Sequence, residues 1–365
     1  MPSNINPMTR WGVNHVDGVP NTTAATQDDL LNGVGGEVRD LWLATWSGEV
    51  LHAYDAFKTF EGLVDSRTIT SGTTVQFPVT GTVALKEAWE AGEELAGGGS
   101  TTKTYSISLD RRPIAAHFEL DNIDVMVQQF EFRSELARQA GQTIANERDA
   151  QLARLILKAS TEESRMFEAK NTGVIDTDYA GRKRELTAGS AAGSEARALE
   201  ILAAIEAELV KYRELNVVEA GTVCVVSPAD FNAIRRLGIA SPGSAPADGL
   251  AGYQPMFAGV SAAMSLQSTL SYMGVTIMQS NVMPEDGFSS NDSNYHTPAA
   301  PAGTVANPVA LIFQRGCVAS IKKQGLKVDS VEDVRRNTVF TVASMFSGGG
   351  VLRPELACAV RVASA

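Results

Sequence analysis

The stretch Thr68–Ile107 limits what this chain can fold into more than any other. Its first part, TITSGTTVQFPVTGT over Thr68–Thr82, sets Val75, Phe77 and Val79 against polar neighbours, which is a strand pattern. Thr101–Ile107 reads as a returning strand. Pro78 has no N–H to give a ladder, so it restricts the first strand to an edge or a free hairpin. Between the two lies LKEAWEAGEELAGGGS, acidic at Glu87, Glu90, Glu93 and Glu94, with Trp89 among them and a flexible run at Gly97–Gly99. Two strands with a glycine-rich tip and no core of their own do not fold alone. The expectation is a long hairpin arm projecting from a body. At about 3.3 Å per residue, some 15–20 residues per strand reach roughly 50–65 Å, so the arm needs something outside its own domain to lie on.

The remaining chain supplies the body. Met1–Gly36 is rich in Asn, Thr, Gly and Pro and reads as an extended arm or a loop, anchored by another chain or a long groove. In Glu37–Lys58, Val38, Leu41, Trp42, Trp46, Val50, Leu51, Tyr54 and Phe57 recur at helical spacing. Asn122–Phe130 reads as a short helix capped by Asp121. Phe132–Ala159 carries the strongest helical signal. Phe132, Leu136, Ala140, Ile144, Ala150, Ala153, Ile156 and Leu157 form its stripe, with Arg133, Glu135, Arg138, Glu147, Arg148 and Arg154 elsewhere. At roughly 40 Å it can serve as a spine. Thr161–Ser194 is loop-like and includes the basic cluster Arg182–Arg184. A helix over Glu195–Arg213, a strand over Thr222–Val226, a cap at Ser227-Pro228 and a helix through Asp230–Leu237 then give an α/β rhythm. Further strands fall at Val275–Gln279, Ala310–Phe313 and Cys317–Lys322, with loops over Ser241–Gly259 and Pro284–Asn307. The last segment, strand-like around Val328, Val331 and Val334, runs through Thr338–Val342, a turn at Ser347–Gly350 and Leu356–Val362. The expected body has two lobes: the spine helix with the final strands, and an α/β lobe from about Glu195 to Gln324 inserted between them.

Composition removes several function classes. The 365 residues are 44% apolar and 20% charged, which is ordinary globular chemistry. No apolar run approaches the roughly 20 residues that span a bilayer. The N-terminus lacks the apolar region of a secretory signal, so a cytoplasmic origin is expected. A net charge of −11 argues against a free-standing DNA binder. Identical copies of such a chain repel weakly at long range, so their assembly needs burial and local charge pairing, helped by salt. Cys224, Cys317 and Cys358 each sit in an apolar run and read as small buried hydrophobes rather than disulfide or metal partners. His15, His52, His117 and His296 show no metal-binding spacing. No GxSxG elbow is present, and Gly33–Gly36, Gly97–Gly99 and Gly348–Gly350 match no phosphate-cradling motif. The four glutamates stand on a mobile tip, whereas acid–base catalysis needs fixed geometry. Basic pairs at Arg111-Arg112, Arg235-Arg236, Lys322-Lys323 and Arg335-Arg336 each read singly as a solvated surface and collectively as able to receive an acidic arm from a neighbour. No catalytic residue, cofactor or metal is expected, and the chain is not read as an enzyme.

Two stretches carry a family resemblance. Ser71–Val79, SGTTVQFPV, resembles the Ser-Gly-Lys-x-x-Gln-Phe-Pro-Val of short-tailed phage major capsid proteins, with Thr73 in place of the lysine. Gly349–Glu355, GGVLRPE, following Arg335-Arg336, resembles their C-terminal Gly-Gly-Leu-Arg-Pro-Glu. Gly48–Leu51 is a weaker third match. The order of arm, hairpin, spine helix, α/β insertion and final strands is similar to the Hong Kong 97-type capsid fold, an α+β fold. The resemblance implies an N-terminal arm and first helix over 1–50, and a peripheral P-domain from 51–65, 111–194 and 325–365. It implies an E-loop over 66–110 and an axial A-domain over 195–324. It also implies self-assembly as hexamers and pentamers into an icosahedral head shell around double-stranded DNA in the host cytoplasm. The partners it implies are a separate scaffolding protein, a portal protein, a possible decoration protein and weakly held DNA, with no membrane. The contact candidates are Glu87, Trp89, Glu90, Glu93 and Glu94 on the arm, and Arg138, Arg148, Arg335 and Arg336 as their receivers. The alternatives are an encapsulin-like compartment shell and, with the nucleophile motifs missing, a soluble α/β hydrolase.

Overall fold

The computed structural model describes residues 47–80, 92, 102–110, 113–121, 132–163, 180–187, 191–215, 217–239, 269–283, 308–333 and 336–362. A first helix, α1 (residues 47–57), lies against the spine helix α2 (Phe132–Ala159), whose 28 residues span about 42 Å. The two backbones meet at Gly141, where an added Cβ would stand 2.6 Å from the Val50 carbonyl oxygen. Helix α3 (Glu195–Glu214) starts where Ser194 Oγ accepts from the Arg197 amide at 3.2 Å. Helix α4 (Pro228–Ile239) is capped the same way, by Ser227 Oγ on the Asp230 amide at 3.2 Å.

The described strands form three sheets. The first orders β1 (Asp65–Thr68), β10 (Val318–Asp333), β11 (Thr338–Val351) and β4 (Ile114–Asp121). The second orders β5 (Arg182–Leu186), β12 (Ala357–Val362), β9 (Pro308–Gln314), β6 (Thr222–Val226), β8 (Val275–Gln279) and β7 (Thr269–Tyr272). The third is the hairpin β2 (Thr74–Thr80) with β3 (Thr102–Ser108), paired from Thr74↔Ser108 to Thr80↔Thr102.

Alternation decides how these layers pack. On one face of the six-stranded sheet, Cys224, Val226, Ile277, Ile312, Cys358 and Val360 meet α3 and α4. On the other, Val225, Leu311, Phe313, Ala357 and Ala359 meet the C-terminal half of α2. Both faces are covered, so Pro308–Gln314 is buried at every position, the continuous apolar run expected of a strand with no wet side. The N-terminal half of α2 packs through Ala137, Ile144 and Ala145 on Val328, Ala343 and Met345 of the four-stranded sheet. One helix thus holds both sheets. All three cysteines are buried and free. Cys224 and Cys358 both align with Ile312 from its two sides, which puts their Cα atoms about 9–10 Å apart, too far for a disulfide. Burial raises the Cys224 thiol to about 12, so it stays protonated and inert. None of the described helices is long and apolar enough to cross a membrane.

Four expectations are corrected. Gly348–Gly350 is not a turn but part of β11. A Cβ on Gly348 would stand 2.7 Å from the Ser108 carbonyl oxygen, and one on Gly349 2.6 Å from Leu155 Cδ1, so this strand is glycine because it is pressed between hairpin and helix. Arg182–Arg184 is not loop but strand β5, parallel to β12. Its arginines are drawn inward by Glu208, 1% exposed, which accepts from Arg182 Nε at 2.6 Å and Arg184 Nη2 at 3.5 Å. The final strands do not all join the spine lobe. β12 lies in the six-stranded sheet, and the expected boundary at 324/325 falls inside β10. Lastly, Arg148 is inside, because it lies on the flank of α2 that faces β10 and β11, while Glu147, Ala150, Arg154 and Lys158 keep the partly exposed stripe; the neighbouring Asp149 is buried as well. The expected short helix Asn122–Phe130 lies outside the described residues, as does the arm Met1–Gly36.

Asp149 has a consequence for pH. Its carboxylate accepts from the amides of Thr59 at 2.6 Å and Phe60 at 3.1 Å, yet burial raises it from 3.8 to about 6. The folded state then binds this proton more tightly than the unfolded chain. Stability from Asp149 therefore rises as pH falls from about 6 toward 4, by up to about 3 kcal/mol. Asp149→Asn keeps an acceptor but removes the titration. Urea unfolding at pH 7 and pH 5 is expected to show a stability gain in the parent that is reduced in the variant; equal pH slopes contradict this.

Candidate assembly interface

The hairpin root packs through one apolar face onto the body. On β2 and β3 the pairs Val75↔Ile107 and Phe77↔Tyr105 share one face. Phe77 and Ile107 are buried there against Ala319, Ile321 and Leu352, with Phe346 at the margin. The hairpin root, expected to have no core of its own, is therefore seated on the body. The Arg67 guanidinium lies 4.4 Å from the Phe77 ring centroid and covers it from outside.

Both ends of the hairpin are pinned by backbone. On entry, the Ile69 amide donates to the Lys322 carbonyl at 2.7 Å, and Lys323 Nζ donates to the Gly72 carbonyl at 3.1 Å. Gly72 has φ +82°, a left-handed conformation that glycine adopts without strain. On exit, the Leu109 amide donates to Thr73 O at 2.8 Å. The entry anchors on Lys322 and Lys323 fall where β10 begins to lose its regular register, between Lys322 and Lys327. Ser71–Val79 and Gly349–Glu355, far apart in the sequence, meet here: Phe77 and Leu352 belong to one cluster, and Gly350 would place a Cβ 3.0 Å from Ile107 Cγ1.

Downstream, Pro354–Leu356 makes a short turn that ties this root to the α/β lobe. Arg182 Nη2 donates to the Glu355 carbonyl at 2.8 Å, and Tyr212 Oη to the Leu356 carbonyl at 3.2 Å. The Glu355 side chain is buried, and burial raises its carboxyl above the usual range.

Of the contact candidates, Glu87, Trp89, Glu90, Glu93, Glu94 and Arg335 lie outside the described residues. The predicted reach of the arm does too; the seven-residue strands described span about 23 Å. Arg138 is half exposed on α2 and forks onto Glu135 through Nε at 2.9 Å and Nη2 at 2.6 Å. Arg336 is exposed in the turn between β10 and β11, beside Asn337 at φ 56°. Arg148 is corrected: it is 1% exposed, and it donates to Gln151 Oε1 at 3.0 Å, Ser320 Oγ at 2.6 Å and the Gly348 carbonyl at 2.8 Å. A neighbouring copy has no access to it. Strand Ile114–Asp121 was not among the expected elements, although Ile114, Ala116, Phe118 and Leu120 carry the period of two. Among the described residues, no group of three or more His, Cys, Asp or Glu side chains is gathered to hold a metal ion.

No protein-family model matches the sequence, and no curated protein does. Solved structures do match. The capsid of cyanophage P-SCSP1u superposes with TM-score 0.60 at 20% identity, over 84% of this chain and 89% of that one. The mature capsid of bacteriophage PhiM1 gives TM-score 0.60 at 17% identity, over 84% and 88%. The capsid of Ralstonia phage GP4 gives TM-score 0.51 at 13% identity, over 84% and 92%. With a seated hairpin, a spine helix and a covered six-stranded sheet already in place, this likeness identifies the architecture: the chain has the Hong Kong 97-type capsid fold of tailed phages.

Proposed function

We propose that this chain is the major shell-building subunit of a short-tailed phage head, assembling as hexamers and pentamers around double-stranded DNA. The observation that carries the reading is the hairpin root, where the two motif stretches meet and whose apolar face is seated on β10 and Leu352 of the body. Such an arm is completed by a neighbour, and contacts of that head-to-tail kind close into rings. Repetition around a shell then makes modest contacts strong. In this reading the hairpin is the E-loop, the spine helix organises the P-domain, and the six-stranded sheet with α3 and α4 forms the A-domain. A scaffolding protein and a portal complete the particle inside the host cytoplasm. The net charge of −11 suits an inner wall that holds packaged DNA loosely.

Purified chain, concentrated with a crowding agent, is expected to sediment as particles far larger than a monomer; a monomer or dimer at every concentration would contradict the proposal. The acidic tip is the proposed docking element, with Arg138, Arg335 and Arg336 of an adjacent copy as receivers. A single exposed pair contributes only about 0–1 kcal/mol, so the gain comes from many copies. Reversing Glu90 and Glu94 to lysine should reduce particle yield several-fold while thermal unfolding of the subunit stays put. Undiminished yield would refute the docking role.

A further inference from the structure

Arg148 is a buried cation at the joint between hairpin and body. Its hydrogen bonds go to neutral acceptors on three elements: Gln151 on its own helix, Ser320 on β10 and the Gly348 carbonyl on β11. Burial lowers its pKa, while Glu61, Tyr54, Asp110 and Asp149 act to keep it charged. Around it, Glu61 pairs with Lys322 and accepts from Tyr54 Oη at 2.7 Å. Gly348 is also where β11 touches the hairpin exit, since a Cβ there would lie 2.7 Å from Ser108 O and 2.9 Å from Leu109 Cα. The next residue, Asp110, donates its amide to Ser347 O at 3.4 Å. A continuous path runs from the spine helix through the guanidinium and Gly348 to the residues that end the hairpin.

A well-packed apolar side chain would fill this space with less desolvation, so packing alone does not explain a guanidinium here. What the guanidinium adds is geometry. Its planar fork fixes the direction as well as the distance of each acceptor, and a charge-assisted bond resists drift more than a neutral one. We propose that Arg148 is a positioning residue: by holding Ser320 and the Gly348 carbonyl, it sets the pitch at which the β2–β3 hairpin leaves the body. It therefore governs whether neighbouring copies fit, without touching them. This rests on the shell-building reading above.

The test uses the full chain with Arg148→Met, Arg148→Lys and the milder Ser320→Ala, reading amide hydrogen exchange and particle yield. In Arg148→Met and Ser320→Ala, the Leu109 and Asp110 amides should exchange about tenfold faster or more, while Val225 and Ile277 in the six-stranded sheet stay within about twofold. Particle yield should fall several-fold, or particle diameter become heterogeneous, with Arg148→Lys in between because it keeps the charge but not the fork. Faster exchange spread evenly over both sheets would reduce Arg148 to general structural support and overturn the inference. Unchanged Leu109 exchange, or accelerated exchange with normal particles, would overturn it as well. If the parent chain forms no particles at all, the shell-building reading fails, and the exchange pattern still decides the role of Arg148 at the hairpin root.

Discussion

Closing the hairpin early is expected to abolish particle formation and leave the subunit folded. Thr80 and Thr102 face each other across the ladder, so residues 81–101 can be replaced by Asn-Gly, a two-residue turn whose twist suits a hairpin. Everything that seats the root stays in place. Phe77 and Ile107 remain against Ala319, Ile321 and Leu352, and the Leu109 amide still reaches Thr73 O. The melting temperature should shift by no more than about 2–4 °C, the scale of a 1 kcal/mol change in a chain of this size. Assembly has no such reserve. The deleted residues include Trp89 and the four glutamates, and on the proposed reading each copy then loses its contact with the next at every repeat of the shell. Gradient sedimentation of parent and variant at equal concentration checks this. Particles at parental yield from the shortened chain would contradict the role given to the arm.

The second large effect concerns stability. Phe313→Ala should destabilise the fold by about 3–5 kcal/mol, the cost of truncating a fully buried phenylalanine when the surroundings relax only in part. Phe313 sits on β9 with its ring 6.1 Å from that of Phe60, stacked, in the cluster where α2 meets the six-stranded sheet. The cavity would open at the contact that joins the two halves of the fold. Against a total stability of 5–15 kcal/mol for typical domains, that loss is substantial, on the order of 10 °C in melting temperature. Phe340→Ala is the control. Phe340 is exposed on the outer face of β11, tilted against His117 at 5.8 Å, and its truncation should cost no more than about 0.5 kcal/mol. Thermal melts followed by circular dichroism separate the two; a loss below about 1 kcal/mol at Phe313 would show that this cluster is not the core it looks to be.

Much of this architecture was legible from local pattern. Thr222–Val226 and Val275–Gln279 are short runs dominated by apolar and β-branched residues, and α2 and α3 keep helical spacing over several turns, so their bounds follow from the sequence. What local pattern does not carry is partnership. Arg182–Leu186 looks like a solvated basic loop because its apolar content is one leucine. It is a strand because Glu208, on a helix further along the chain, neutralises Arg182 and Arg184, and because β12 from the chain's end lies beside it. The glycine run in β11 imitates a turn for a similar reason. Its lack of side chains answers to Leu155, Ser108 and Ile107, none of which is near it in sequence. Arg148 fits the polar face of a helix with one dry side, and α2 has two. The hairpin itself was legible as an element without a core, but not the place where it is seated, since that depends on β10 and β11 more than two hundred residues later.

The most direct measurement is an electron cryomicroscopy reconstruction of the particles formed by the intact chain. The expected result is a closed icosahedral shell of hexamers and pentamers in which the hairpin of each copy crosses onto the adjacent subunit, its acidic tip against that subunit's basic residues and its root still seated on its own β10 and β11. A hairpin folded back over its own subunit, or a protein that yields no shell at all, would contradict it.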